Sequence, residues 1–129
     1  MRFLLDTHVW LWLQVEPRRV AAKVRQRLAN PAHDLLLSVA SLWEMASKYR
    51  LGKLPLPEPP SVFVPGRLAR QGVVTLDVRS AHVLRTADLP LHHGDPFDRL
   101  LIAQAQIEGL TVVTADAKLG RYEVALLRV

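Results

Sequence analysis

Residues 95–116 read Asp-Pro-Phe-Asp-Arg-Leu-Leu-Ile-Ala-Gln-Ala-Gln-Ile-Glu-Gly-Leu-Thr-Val-Val-Thr-Ala-Asp, and this stretch decides the fold. Asp95-Pro96 is typical of a helix start, because the carboxylate can accept backbone N–H groups and proline suits the first helical position. Gly109 fits the helix end, and the valine-rich run Leu110–Thr114 predicts a buried strand. The buried face of the helix would be lined by Phe97, Leu101 and Ala105. A helix that leads directly into an apolar strand is a building unit of α/β proteins.

The remainder of the chain continues this alternation. Further apolar runs predict strands at Arg2–Leu5, Leu35–Val39, Val73–Leu76 and Val124–Leu127. Helical patterns cover Arg18–Ala29, a segment with Leu42, Met45, Ala46 and Tyr49 on one face that ends before Gly52, and Ser80–Ala87. Four prolines make Lys53–Pro60 a loop, which leads to a short helix disturbed by Pro65 and Gly66. We expect a single α/β domain over residues 1–129, with a central parallel sheet of four to five strands and helices on both faces.

Composition limits the classes of function. Seventeen Lys and Arg against twelve Asp and Glu give a formal charge of +5, which favours polyanionic partners. The chain has no cysteine, so disulfides and thiolate zinc sites are excluded, and a reducing cytoplasm is the expected compartment. We interpret the apolar N-terminal run, which Asp6 and His8 interrupt, as a strand and a helix rather than a signal segment. No stretch approaches the ~20 apolar residues needed to cross a bilayer.

Four acidic residues are placed at one rim of the predicted sheet. Asp6 follows the first strand directly, and Asp116 comes two residues after Thr114, where the fourth strand ends. Glu44 lies in the opening turns of the helix after the second strand, and Asp98 lies in the first turn of the helix before the fourth strand. Because open α/β sheets bind ligands outside the carboxyl ends of their strands, we expect these carboxylates to form the catalytic site.

Clustered carboxylates favour a hard cation. In a partly dry cleft they repel one another, and a divalent metal removes that cost. Mg²⁺ or Mn²⁺ accepts carboxylate oxygens, keeps some of its water and can activate one water for attack on a phosphodiester. We therefore predict a Mg²⁺ (or Mn²⁺) site formed by Asp6, Glu44, Asp98 and Asp116.

Each acid also has a structural interpretation. Asp6 could cap the first helix, and Glu44 could complete a capping box with Ser41. Asp98 could complement the dipole of its helix, and Asp116 could form a turn. The coincidence of all four at one rim favours the site, because separate structural roles do not require it.

Other polar residues near the acids have predicted supporting roles. Thr7, Ser41 and Thr114 could orient carboxylates or metal-bound waters, although hydroxyls in caps and turns are often structural. Lys48 and Arg99 are possible phosphate contacts, with salt bridges as the alternative.

Three further groups of residues have structural interpretations that we prefer. A carboxylate site needs no imidazole, so we expect structural roles for His8, His33, His82, His92 and His93. Aromatic residues near apolar runs mostly pack, so we expect a core or dimer surface, before base stacking, for Trp10, Trp12 and Trp43. The basic helix Arg18–Arg27 could follow an RNA backbone, but charge patterning of this kind is usual on a solvated face.

Four stretches in this order resemble the VapC toxins of the PIN-domain family. They are Leu4–His8, Ser41–Met45 with Lys48–Leu54, Asp95–Ala105 and Val113–Asp116. The resemblance extends over essentially the whole chain, and four motifs at compatible spacings are highly specific. Two departures are Gly94, where the family often has a basic residue, and Leu119, where an aromatic residue is common.

The resemblance implies a PIN-like fold and a Mg²⁺- or Mn²⁺-dependent endoribonuclease that inhibits translation as the toxin of a type II toxin–antitoxin system. It also implies a homodimer and a cognate antitoxin that occupies the active-site groove. The family's acidic quartet falls on Asp6, Glu44, Asp98 and Asp116, and its supporting hydroxyls fall on Thr7, Ser41 and Thr114. Asp95 matches the acid that caps the helix, so it is left out of the metal set.

Considered without the resemblance, the residues are also compatible with three other functions. A structure-specific DNA nuclease would use the same metal chemistry. An aspartyl phosphotransfer enzyme would also place an acid after the first strand, but it typically has a second Asp two residues on, where this chain has His8. A non-catalytic RNA-binding module would use the acids only as caps and turns, and it predicts no specific metal binding.

Overall fold

A computed structural model describes residues 1–129 as five strands and six α-helices. The strands are β1 Arg2–Leu5, β2 Asp34–Ser38, β3 Val74–Leu76, β4 Thr111–Thr114 and β5 Ala125–Arg128. The helices are α1 Thr7–Val15, α2 Ala22–Ala29, α3 Val39–Arg50, α4 Pro60–Gln71, α5 Ser80–Arg85 and α6 Pro96–Glu108. Short 3₁₀ turns occupy Pro17–Arg19, Thr86–Asp88 and Ala117–Arg121.

All five strands form one parallel sheet in the order β3-β2-β1-β4-β5. The chain builds outward from β1 to β3 on one side and then crosses to β4 and β5 on the other. The order therefore reverses between β1 and β4, and clefts at such a point bind ligands in open parallel sheets. Leu5 is in register with Val113 there, and the N–H of Asp6 extends the ladder by donating to the Val113 carbonyl at 2.9 Å.

The sheet is covered on both faces, because its strands carry apolar side chains on both sides. Alternate residues such as Phe3 and Leu5 pack with helices α1, α2 and α4 in one cluster. Leu4 and Val112 point the other way and pack with α6 in a second cluster. The predicted α/β architecture with a parallel sheet is confirmed. None of the helices has both the length and the apolar composition needed to cross a membrane.

The last long helix forms as its sequence predicts. The Asp95 carboxylate accepts from the N–H groups of Phe97 and Asp98, at 2.9 and 3.1 Å. Gly109 ends the helix with a φ of 67°, a left-handed conformation that glycine adopts without a steric penalty. Leu101 is buried as expected, but Phe97 is only partly buried and contacts the edge of an exposed tryptophan, Trp43.

The predicted helix over Arg18–Ala29 is wrong at its start. Pro17–Arg19 forms a 3₁₀ turn, and Val20 is extended with φ −102° and ψ 125°. This conformation breaks the helical ladder, so α2 begins only at Ala22. Val20 is fully buried, and burial of its side chain therefore outweighs helical continuity at this position.

Two other helix boundaries also differ from the prediction. Ser38, the last residue of β2, caps α3 by accepting from the Ala40 N–H at 3.0 Å. Strand and helix therefore follow one another without a loop, and the predicted capping box of Ser41 with Glu44 is wrong. The helix predicted to be disturbed at Pro65 instead runs for 12 residues, because a buried face that includes Phe63 compensates for the missing N–H.

Candidate active site

The four predicted acids line one cleft of about 320 Å³ at the carboxyl ends of β1 and β4. Its lining consists of Asp6, His8, Trp12, Glu44, Asp95, Asp98, Ala115 and Asp116. The structure therefore brings together side chains that lie up to 110 positions apart in sequence. Parallel strands account for this, since their carboxyl ends meet at one edge of the sheet.

Asp6 lies at the point where the strand order reverses, between the ends of β1 and β4. It occupies the cap position of α1, but its side chain makes no capping hydrogen bond. Instead its Oδ2 accepts a 2.7 Å hydrogen bond from the hydroxyl of Thr114. Burial raises the pKa of the Asp6 carboxyl above its usual value, and the Thr114 hydrogen bond opposes that rise. The Thr114 hydrogen bond thus fixes the orientation of the Asp6 carboxylate.

Asp98 is the acid whose ionisation is most perturbed. It lies in the first turn of α6, where Asp95 already performs the capping. Burial, followed by the charges of Asp6, Asp95, Glu44 and Asp116, raises the pKa of Asp98 to about 7. A carboxyl group that four other acids surround is costly to ionise without a cation.

Glu44 reaches the cleft from the middle of α3 and has a cationic partner. Its side chain is 6% exposed, and its Oε2 lies 2.6 Å from Nζ of Lys48, one turn later on the same helix. The hydrogen bond to Glu44 raises the pKa of Lys48. The salt-bridge interpretation of Lys48 therefore matches the structure, and the predicted phosphate contact would require this pair to open.

Asp116 combines a turn with its place in the cleft. Its Oδ1 accepts from the N–H of Lys118 at 2.9 Å and so starts the 3₁₀ turn after β4. Its own N–H donates to the Thr114 hydroxyl at 3.0 Å. Thr114 thus links Asp6 to Asp116, which supports the predicted supporting role of this hydroxyl.

The remaining two hydroxyls join the helices that flank the cleft. Thr7 of α1 donates to the Ser41 hydroxyl of α3 at 2.8 Å, and both residues are buried. This bond lies next to Asp6 in the chain and one turn before Glu44. It therefore braces two walls of the cleft but touches neither carboxylate.

The acids are suited to a divalent cation, although they are not set as a ready-made ligand cluster. No group of three or more acidic or imidazole side chains has the spacing of a metal cage. Carboxylates that repel one another are expected to stand apart. The donor set fits a hard ion, because all the potential side-chain ligands that line the cleft except His8 are carboxylates. Burial, followed by four neighbouring charges, raises the pKa of Asp98.

The guanidinium of Arg99, a possible phosphate contact, forms hydrogen bonds within the protein. It donates to the carbonyls of Pro90 and Thr86, each at 2.8 Å, and also to the carbonyl of Leu89 and the hydroxyl of Tyr122. These bonds tie the start of α6 to the loop before it. These hydrogen bonds could not be predicted from the sequence, because every residue type has a backbone carbonyl.

His93, for which the sequence favours a structural role, contacts one of the acids of the cleft. Its Nε2 lies 3.4 Å from Oδ2 of Asp98, and its Nδ1 lies 2.7 Å from the hydroxyl of Tyr122. The sequence gives only one hint of this contact. The family often has a basic residue at the position of Gly94, and His93 comes directly before that position. His92 makes only an aromatic contact with Tyr122, as the structural interpretation expects.

The tryptophans divide between core and surface. Trp10 is fully buried, as predicted for a core residue. Trp12 lines the cleft and packs beneath the guanidinium of Arg19, 4.2 Å from the ring centroid. Trp43 remains 66% exposed.

Comparisons with known proteins agree with this fold. A profile of the PIN domain matches residues 3–125. Ribonuclease VapC16 of Mycobacterium tuberculosis (strain ATCC 25618 / H37Rv) is 46% identical over 69 residues, which cover 51% of this chain and 49% of that protein. Ribonuclease VapC22 of the same strain is 30% identical over 118 residues, which cover 90% of this chain and 88% of that protein.

A solved structure adds a likeness in three dimensions. VapBC2 from Rickettsia felis, bound to a DNA fragment from its promoter, contains a chain that superposes with a TM-score of 0.76. The two chains are 19% identical, and the match covers 99% of this chain and 98% of that one. The likeness at this identity shows the fold, and the profile match over nearly the whole sequence shows the family. The chain therefore belongs to the PIN-domain family.

Proposed function

We propose that this chain is a Mg²⁺- or Mn²⁺-dependent endoribonuclease that acts as the toxin of a VapBC-type toxin–antitoxin pair and inhibits translation by cutting RNA. The observation that carries the proposal is the meeting of Asp6, Glu44, Asp98 and Asp116 in one cleft at the carboxyl edge of the sheet. Similarity to two proteins named as VapC ribonucleases supports RNA as the substrate.

The residues of the cleft have different proposed roles in binding the cation. Asp6 and Asp98 are the central ligands, because both line the cleft and the pKa of each is raised. Asp116 adds a third carboxylate through the turn that follows β4. Glu44 completes the quartet while Lys48 balances its charge. When bound, a divalent cation would supply an activated water and a counter-charge for the phosphate.

Thr114 acts on the ligands and not on the substrate. Its hydroxyl donates to Asp6 and accepts from the backbone N–H of Asp116. The Asp6 carboxylate and the backbone of Asp116 are therefore held in place by one hydroxyl, which reduces the entropy lost when these residues bind a cation.

The proposal extends to partners and compartment. The similar fold of a chain in a VapBC complex supports a cognate antitoxin, which we propose occupies the groove that contains the acids. The formal charge of +5 suits an RNA substrate. We further propose a homodimer in the cytoplasm, formed by copies of one domain that spans residues 1–129.

The test is cleavage of structured RNAs and matched single-stranded DNA with Mg²⁺, Mn²⁺ or EDTA. The expected result is that RNA is cut only with metal and that Asp6→Asn and Asp98→Asn are inactive though folded. Asp34→Asn is the matched control, because this exposed aspartate begins β2 at the opposite end of the sheet. Equal activity of the cleft variants and the control would contradict the proposal, and preferred cleavage of DNA would change the substrate.

A further inference from the structure

A row of hydrogen bonds leads from Arg99 to Asp98 through two intervening side chains. Nη1 of Arg99 lies 3.2 Å from the hydroxyl of Tyr122, and that hydroxyl lies 2.7 Å from Nδ1 of His93. Nε2 of His93 lies 3.4 Å from Oδ2 of Asp98. The row therefore ends on the acid with the most perturbed ionisation in the cleft.

Arg99 determines which group donates in the first hydrogen bond of this row. Its guanidinium has only donors, and the carbonyls of Thr86 and Pro90 hold it in place at 2.8 Å each. The oxygen of Tyr122 must therefore accept from Arg99. Tyr122 is 3% exposed, so water has little access to compete for its hydroxyl.

The next hydrogen bond in the row joins Tyr122 to the imidazole of His93. A tyrosine hydroxyl has one proton, which Arg99 cannot accept. The one other hydrogen-bonding partner of this hydroxyl is Nδ1 of His93 at 2.7 Å. Because an unpaired buried proton is costly, we assign Nδ1 as its acceptor. A neutral imidazole that accepts at Nδ1 carries its own proton on Nε2. That nitrogen faces Oδ2 of Asp98.

We propose that His93 is a positioning residue, which donates from Nε2 to Asp98 and so fixes the orientation of that carboxylate toward the cation. The role of the cation rests on the proposed function, whereas the hydrogen-bonded row does not. The 3.4 Å separation is long for an N–H···O hydrogen bond, and it should shorten when Asp98 is ionised. Groups that orient a metal ligand in this way typically change metal affinity or activity about 10- to 100-fold.

The first test reads the tautomer of His93 in the metal-free protein. Nitrogen-15 shifts of the ring, measured by NMR, should place the proton on Nε2. Tyr122→Phe removes only the hydroxyl and should shift His93 toward a mixture of tautomers. A proton on Nδ1 in the native protein would overturn the proposal.

The second test measures Mn²⁺ affinity by calorimetry. His93→Leu should bind Mn²⁺ about tenfold more weakly and lower kcat at saturating metal, while KM for RNA stays unchanged. His93→Gln should recover most of the affinity, because its amide nitrogen can replace Nε2 as a donor. His92→Gln is the matched control, since His92 packs on the same tyrosine without touching an acid.

The outcomes separate this inference from the proposed function. Native protein that binds Mn²⁺ and cuts RNA, with unchanged affinity in His93→Leu, overturns the positioning role alone. Native protein that neither binds Mn²⁺ nor cuts RNA overturns the proposed function, and the cation role of His93 with it. If His93→Leu does not fold, the tautomer in native protein and in Tyr122→Phe still decides the row.

Discussion

The two helices that flank the cleft, α3 and α6, each contribute one acid, but the two acids differ in their charged neighbours. On α3, Glu44 lies 2.6 Å from Lys48, a cation within the same helix. On α6, Asp98 has no Lys or Arg within 4 Å and lies 3.4 Å from the imidazole of His93. Burial, followed by the charges of four other acids, raises the pKa of Asp98 to about 7. The unfavourable charge of the cleft is thus concentrated on α6. We expect Asp98 to respond most strongly to metal, to pH and to substitution.

The largest expected effect compares the two acids by substitution. Asp98→Asn should lower kcat by about 100-fold or more, since it removes a proposed metal ligand. Glu44→Gln should lower it by only about tenfold, because Lys48 already balances the charge of Glu44. The measurement is single-turnover RNA cleavage at saturating Mn²⁺. An equal or larger loss in Glu44→Gln would break the comparison.

The second prediction concerns pH and the metal-free protein. The pKa of Asp98 is higher in the folded state than in the unfolded chain, so the native state binds more protons between the two values. The contribution to stability is complete below about pH 4 and is lost as pH rises through about 7. Urea denaturation in EDTA should therefore show stability falling from about pH 5 to about pH 8.

Asp98→Asn is the control for this pH dependence, because it removes the titrating group. The fall in stability with pH should be clearly smaller in the variant. Part of it should remain, because the pKa of Asp6 is also raised. Mn²⁺ should restore stability to the native protein at the higher pH, because a ligand that binds only the folded state shifts the folding equilibrium toward that state. The same slope in the two proteins would contradict the account.

The third prediction examines the α3 wall. Lys48→Met leaves the buried carboxylate of Glu44 without its partner and should lower the free energy of unfolding by about 1–3 kcal/mol. Lys48→Arg keeps a cation at the same position and should cost much less. Urea denaturation of both variants with EDTA measures the difference. If the two variants were equally stable, the pairing would contribute nothing.

The smallest expected effect separates capping from charge at the start of α6. Asp95→Ala removes the cap and should cost about 1 kcal/mol, whereas Asp95→Asn keeps an acceptor and should be almost neutral. Both variants remove a charge that raises the pKa of Asp98, so that pKa should fall in each. Carbon-13 NMR titration of the Asp98 carboxyl would show this, and an unmoved pKa would contradict it.

Local sequence signals predicted the sheet and the four acids well. Strand β1 has the predicted bounds, Arg2–Leu5, because continuous apolar runs are the strongest signal of a buried parallel strand. Asp6 and Asp116 could be predicted because they follow strands whose carboxyl ends must share an edge. The signal in each case lies within a few residues of the side chain concerned.

Features that depend on packing were not predictable in this way. The start of α3 was misplaced because β2 passes into the helix at Ser38 without a loop. Arg99 is committed to carbonyls of a preceding loop, and His93 meets Tyr122 from 29 positions away. No periodicity in the sequence reports such contacts, because they arise only when α6 and the 3₁₀ turn after β4 pack together.

The most direct measurement of the central claim is a calorimetric titration of Mn²⁺ into metal-free protein. Native protein and the Asp34→Asn control should bind the ion alike, and a variant with both Asp6→Asn and Asp98→Asn should bind at least about tenfold more weakly. That result would establish the cleft as a cation site that the acids form together. Equal affinity in all three proteins would contradict the account, and the acids would then be structural.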